Sequence, residues 1–454
     1  MIMMQWQRVL IVLLCIGASF AWSLQMIHAS RGVITTCDFG EIYYGARSVW
    51  HGSDPYSRTA VLKEFTRDGL AFPTDSFNSK VDRIVIAVGV NLPTALLLVS
   101  PLAFLPWSEA QMSWLSLTAF FIGIAAFLSW KLAEGRSPLI TASLVCIVLL
   151  NCVQVLWVGN AAGIAVSLCV IAFYLFLRRR YEFAACLLLA ISLAIKPHDS
   201  GFLWLFLALA GGALRKRALQ TLILVGILGL IASVWVSRVS PRWAEELHQN
   251  HILVAAPGGT SDPAPTGLTA HSAVSIIDLQ AVLSIFRIDP ALYNLMSFAI
   301  GGGLILIWAI AVLRKKRSYD SSLLAIAAIS VLTLLPVYHR SYDAKLLMLT
   351  FPACAMLWGL GGKRGWLAVA ITFAAVLSTS EIPISLWLML CGAMHIAIGP
   401  VADKMAAEFL LQPAPPILLL TGCFYLWVFI SYVPSAVSSE DLSREGDAAS
   451  MTHS

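Results

Sequence analysis

The sequence predicts an all-α polytopic membrane protein, and three observations carry that prediction. Of its 454 residues 59% are apolar and only 12% charged, with a mean hydropathy of +0.80; a soluble domain carries about 25% charged residues. Nearly uncharged stretches of about 17 residues or more recur along the whole chain, the length a helix needs to cross a bilayer core. The basic residues between them gather in short runs, Arg178-Arg179-Arg180, Arg215-Lys216-Arg217, Arg314-Lys315-Lys316-Arg317 and Lys363-Arg364, as cytoplasmic loops do under the positive-inside bias. The pattern excludes a soluble enzyme with a tail anchor, a coiled coil and a disordered regulator. The net charge of +5 is therefore a topological signal and implies no nucleic acid.

The elements follow in order. Arg8 precedes an apolar run from Val9 to about Ala29 that lacks a small-x-small cleavage site; it reads as an uncleaved first span with the N-terminus inside. Residues 30–83 hold seven basic and seven acidic side chains. That absence of positive bias predicts an exterior loop, long enough to carry juxtamembrane helices. Apolar segments then run at about 84–106, 109–130, 138–157, 161–177, 182–196, 199–213 and 218–236. A second exterior loop, 237–291, is rich in Pro, Gly and His. Segments at about 292–313, 320–337, 344–361, 365–379, 383–400 and 416–433 precede a polar tail, 434–454. The basic runs agree on one side only if a piece between 84 and 177 is re-entrant or stops on the outer face. Pro93 and Pro101 break one candidate, and Val158-Gly159-Asn160 marks another. About 13 crossings in a single domain, with the C-terminus outside, is the expectation. Eight of nine cysteines lie in apolar segments and only Cys37 in a polar loop, so no disulfide framework is offered.

Chemistry is expected where polar groups collect at outer ends of spans. Asp38, Tyr44 and Arg47 fall on one predicted helix with Asp38 at its start, where backbone amides stabilise a carboxylate. Lys196-Pro197-His198-Asp199 interrupts an apolar run. Its proline breaks the helix and directs Lys196, a point charge suited to phosphate, at whatever lies beneath. Tyr338-His339-Arg340-Ser341-Tyr342-Asp343 places more hydrogen-bonding side chains between two spans than a connecting turn requires. Gly159-Asn160 reads as a plain turn. His248, Asn250 and His251 lack a carboxylate or cysteine cluster for zinc, and Asp38 with Glu41 is the only neighbouring pair of outer ligands; no metal and no cofactor is expected. No glycine-rich phosphate loop precedes a helix.

Asp38-Phe39, Tyr43-Tyr44, Ala46-Arg47 and the following Gly52-Ser53-Asp54-Pro55-Tyr56 together resemble glycosyltransferase family 87. The prolines at 93, 101 and 106, Lys196-Pro197 and His339-x-Ser341-Tyr342-Asp343 extend the resemblance to about residues 30–350. Gly159-Asn160 departs from the Gly-Gln-x-Asn-like pattern of many relatives. The resemblance implies a GT-C-like bundle in a bacterial inner membrane with its active site on the periplasmic side. It also implies a polyprenyl-phosphate-linked sugar donor and a lipid, polysaccharide or protein acceptor, with membrane lipids around the site. Asp38 would be the general base, assisted by His339. Lys196, Arg340 and Arg47, with Tyr44, His198 and Asp343, would bind substrate, and one carboxylate acting alone would give inversion. A flippase or transporter of a lipid-linked sugar is the alternative, but ionisable groups at span ends rather than mid-membrane disfavour it. A scaffold in an assembly complex is a third class.

Overall fold

The computed structural model describes residues 5–30, 36–71, 77–133, 135–264, 267, 276–380 and 413–433. The predicted segment 383–400 and the tail 434–454 lie outside them. The described residues form helices α1 (Gln5–Ser30), α2 (Cys37–Trp50), α3 (Arg58–Arg67), α4 (Phe77–Ala87), α5 (Pro93–Val99) and α6 (Trp107–Leu132). Next come α7 (Pro138–Leu150), α8 (Val153–Trp157), α9 (Ala162–Leu177), α10 (Glu182–Ile195), α11 (Pro197–Leu209) and α12 (Gly212–Ser237). Helices α13 (Trp243–Ala255) and α14 (Leu279–Phe286) precede α15 (Pro290–Arg314) and α16 (Tyr319–Leu332). A buried 3₁₀ stretch (Asp343–Thr350) then leads into α17 (Phe351–Leu360), α18 (Gly362–Ser378) and α19 (Ala414–Ser431). Seven helical segments among the described residues are long and apolar enough to cross a membrane, so this is an integral membrane protein. The outward faces of α12 and α15 expose Leu230, Ile231, Leu306 and Leu313, which suits lipid and not water.

Local chemistry sets the helix starts. Proline occupies the first turn of α5, α7, α11 and α15, where its missing N–H costs nothing. Asp278 caps α14, Asp289 caps α15, and Ser318 with Ser321 forms a reciprocal capping box on α16. Segment 84–106 is no crossing. Its prolines divide it, and the 7-residue α5 spans roughly 10 Å of a core about 30 Å thick. Instead α5 packs on α2, α10 and α12, and Thr94 donates to the Ala194 carbonyl beside Lys196.

The basic runs meet at one end of the bundle. Arg178 donates to the Lys131 carbonyl at 3.2 Å, Arg317 to that of Ala210 at 3.3 Å, and Arg217 to Glu182 at 2.6 Å. The C-terminal end of α19 is there too: Tyr432 donates to Asp320 at 3.0 Å, and Lys315 to the Tyr432 carbonyl at 2.7 Å. Helix α1 packs along α7, and Gln25 reaches the Leu150 carbonyl at 3.0 Å. Its N-terminal end therefore points toward the start of α7, where Arg136 pairs with Asp320 at 3.1 Å. Both ends of the described bundle thus lie on the basic side. Gln5 and Val433, the two ends of the described residues, therefore imply an even number of crossings between them, where the expected 13 is odd; the tail 434–454 lies outside the described residues.

Candidate active site

The cavity at the opposite end is built around the start of α2. Asp38 lies in its first turn, and the Asp38 N–H donates to the Val158 carbonyl at 2.9 Å. This ties α2 to the turn between α8 and α9. Gly159 in that turn has φ +65°, and a Cβ there would meet the Cβ atoms of Phe39 and Thr36 at 2.9 Å; the close approach and the left-handed backbone both require glycine. Trp114 donates to the Gly159 carbonyl at 2.8 Å, and Phe39 stacks on Trp107 and Trp114. Asn160 Nδ2 donates to Asp38 Oδ2 at 2.6 Å, while its Oδ1 accepts from the Ala162 N–H at 2.8 Å. The side chain that accepts the first N–H of α9 therefore also holds the carboxylate. Burial raises the proton affinity of Asp38 above the ordinary carboxylate range, against the Asn160 hydrogen bond and the charges of Arg340 and Lys196.

The facing wall comes from the α10–α11 break and from residues 338–343. Pro197 ends α10 and places Lys196 at the junction. The Lys196 ammonium donates to Asp343 Oδ1, lies 4.9 Å from the centre of the Tyr342 ring, and is 3.7 Å from Asp199. Asp343 Oδ2 accepts the Arg340 N–H at 2.8 Å, so one carboxylate fixes both cationic residues. The Arg340 guanidinium donates to the Tyr338 hydroxyl and, at 2.6 Å, to the Thr260 carbonyl. Asp278 caps α14 with Oδ1 and accepts the His339 N–H with Oδ2 at 3.1 Å, fixing the 338–343 turn to the second outer loop. Burial pushes the Asp278 carboxyl up to about 7. Between the walls is a cavity of about 310 Å³.

Asp38, Lys196, His198 and Arg340 line this cavity, joined by Asn160, Tyr338 and Tyr342. Asp343 and His339 are buried behind the wall. His339 does not reach Asp38: Nδ1 bonds the Val337 carbonyl at 2.8 Å and Nε2 faces Asp199 at 3.4 Å. Tyr44 and Arg47 are not in the cavity at all. Arg47 donates to Asp68 at 2.9 Å and to Tyr43, and Tyr44 to Asp68 at 3.3 Å, fastening α2 to α3. The reason is helical phase: nine residues at roughly 100° each put Arg47 on the opposite side of α2 from Asp38. Glu41 and Ile42, three and four positions on, line the cavity instead. The neighbouring acids Asp38 and Glu41 do not form an open pair, because Glu41 Oε1 accepts from the Val90 N–H at 2.5 Å and the Asn91 amide at 2.7 Å. Burial raises Glu41 to about 8. His198, Asp199 and His339 do bring ligand atoms within 4.8 Å of one another.

A helical membrane bundle with a polar cavity at one end, a carboxylate on one wall and two cations on the other, has the make-up of an enzyme acting on an anionic substrate at the bilayer surface. The sequence matches glycosyltransferase family 87 over residues 91–337, and the chain belongs to that family. It is a glycosyltransferase, working between a sugar donor and an acceptor. The matched region contains Asn160, Lys196 and His198 but ends short of Asp38 and of residues 338–343, so the placing of those residues rests on the geometry above. No curated protein and no solved structure matches the chain.

Proposed function

We propose that the protein transfers a sugar from a polyprenyl-phosphate donor to an acceptor hydroxyl at the outer face of a bacterial inner membrane. Asp38 is the general base. It takes the acceptor proton as the new bond to C1 forms, while the C1–O bond to phosphate breaks and its electron pair leaves with the phosphate. Lys196 and Arg340 neutralise the charge developing on that phosphate in a site screened from water. Displacement by one carboxylate-activated hydroxyl gives inversion. Asn160 orients Asp38, the part expected of His339.

The reading is carried by one observation: the Asp38 carboxylate and the Lys196 and Arg340 cations share a cavity of about 310 Å³, enough for a sugar phosphate whose lipid stays in the bilayer. A lipid-borne donor also explains a glycosyltransferase with no glycine-rich nucleotide loop. The test is Asp38→Asn in purified protein, assayed with polyprenyl-phosphate hexoses and pentoses. Wild type forms a glycosidic product, and the variant loses about 10²–10⁴ in turnover. Turnover within about tenfold of wild type defeats the base assignment, and a wild type inactive on every lipid donor but active on a nucleotide sugar defeats the donor.

A further inference from the structure

We propose that His198, Asp199 and His339 form a site for one divalent transition-metal ion of the zinc type, open on its His198 side to the cavity. Asp199 is fully buried, and neither carboxylate oxygen has a hydrogen-bond partner. Its Oδ1 faces two imidazoles, with His339 Nε2 at 3.4 Å and His198 Nε2 at 3.8 Å. His339 Nε2 is likewise buried without a partner. Its other nitrogen, Nδ1, lies 2.8 Å from the Val337 carbonyl, an acceptor only, so Nδ1 carries a proton and Nε2 faces the carboxylate oxygen either with a second proton, as an imidazolium, or with a lone pair shared with a metal ion. A proton or a metal ion must lie between two such atoms in a buried site, and the second imidazole nitrogen on the same carboxylate oxygen, His198 Nε2, is a ligand atom that a proton on His339 leaves unused. A backbone carbonyl on the far nitrogen is also the usual support of a metal-bound histidine.

The spacing fits. Zinc binds nitrogen and oxygen at about 2.0–2.2 Å, which puts tetrahedral neighbours roughly 3.3 Å apart; the two imidazole nitrogens lie 3.4 and 3.8 Å from Asp199 Oδ1, and all three ligand atoms lie within 4.8 Å of one another. Two imidazoles and one carboxylate favour a transition metal over magnesium or calcium, which prefer oxygen. Lys196 does not fill the gap: its ammonium is engaged by Asp343 and remains 3.7 Å from Asp199 Oδ2, on the other carboxylate oxygen. Asp199 and His339 are sealed while His198 lines the cavity, so the remaining coordination position faces the cavity. Its assignment to an anionic oxygen of the donor rests on the function proposed above; metal binding does not.

The experiment uses the untagged full chain in detergent, stripped with chelator, reloaded with zinc or cobalt and desalted, with no donor present. The expected result is one ion per chain and, for cobalt, the visible absorption of a four-coordinate site. Asp199→Asn and His339→Ala lose stoichiometric binding, whereas His248→Ala, on the exposed face of α13, keeps it. A wild type that retains no stoichiometric ion overturns the proposal and makes the cluster an imidazolium–carboxylate pair. Binding that survives both site variants also overturns it. Should the variants not fold, the cobalt spectrum of the wild type decides alone. Metal binding by a protein inactive on lipid donors would leave the site standing and remove the proposed function.

Discussion

At Asp38 opposing forces set the proton affinity, and the balance is open to measurement. Burial lifts its pKa, while Asn160, Arg340 and Lys196 favour the charged form. With Asp38 as the proposed base, the raised value is expected to put the acid limb of kcat/KM above the roughly 3.9 of a free aspartate, with activity lost as pH falls through it. Asn160→Ala removes a 2.6 Å bond to the ionised oxygen. A hydrogen bond to a charged group contributes about 1.5–3 kcal/mol and one pKa unit is about 1.4, so the limb should move up by about one to two units. A limb that stays put would separate Asn160 from the base. Asp343 offers a second residue-level test, since it touches Lys196 and the Arg340 backbone but not the cavity. Asp343→Asn and Lys196→Ala should each raise donor KM about tenfold or more, and the double variant should fall well short of the product; strict additivity in a double-mutant cycle would mean that Asp343 does not hold Lys196. Lys196 and Arg340 were legible in the sequence because a cation beside a helix break or in a crowded turn is conspicuous. Asn160 was not, because a Gly-Asn turn looks the same whether its amide faces water or a carboxylate 122 residues away. Tyr44 and Arg47, which the family resemblance assigned to substrate, lie outside the cavity because helical phase carries Arg47 to the other side of α2.

The helix breaks were the most readable elements. Pro93, Pro197 and Pro290 start helices where their rings permit nothing else, and the non-crossing character of 84–106 follows from its prolines. By contrast, the 8-residue 3₁₀ stretch at Asp343–Thr350 has no sequence signature: its residues would serve an α-helix equally well, and tertiary packing selects the tighter coil. The Gly159 turn carries the element-scale prediction. It joins α8 and α9 and receives the N-terminus of α2, so its shape positions both Asp38 and Asn160. Gly159→Ala must hold a side chain at φ +65° with its Cβ 2.9 Å from two neighbours, at a cost of about 1–3 kcal/mol before any displacement of α2. Thermal unfolding should show lower stability together with reduced turnover. Gly226, inside α12 with open space for 4 Å around the place a Cβ would take, is the control: Gly226→Ala should be neutral or stabilising by up to about 1 kcal/mol. Equal behaviour of the two variants would mean that the turn does not position the cavity wall.

On the scale of the whole molecule, the two ends of the bundle differ in charge, and chain direction ties that difference to the membrane. Helix α9 begins at the cavity and ends at Arg178, α10 returns from Glu182 to Lys196, and α11 runs back from Pro197 to Ala210, whose carbonyl meets Arg317. Consecutive helices thus alternate between the cavity end and the basic end. Under the positive-inside bias the proposed orientation has the basic end cytoplasmic and the cavity external. Lys315 and Asp320 hold the last turn of α19 and the residues after it, so Val433, 83% exposed, lies at the basic end too. Single introduced cysteines test this in right-side-out vesicles treated with an impermeant thiol reagent. Lys63→Cys and Ser261→Cys, at the cavity end, should label without permeabilisation; Arg179→Cys and Val433→Cys should label only after it. Labelling of position 433 alongside 261 would restore an external C-terminus and an odd number of crossings. Labelling of 179 without permeabilisation, with 63 and 261 protected, would turn the molecule over, and a donor presented from the periplasmic leaflet could then not reach Asp38.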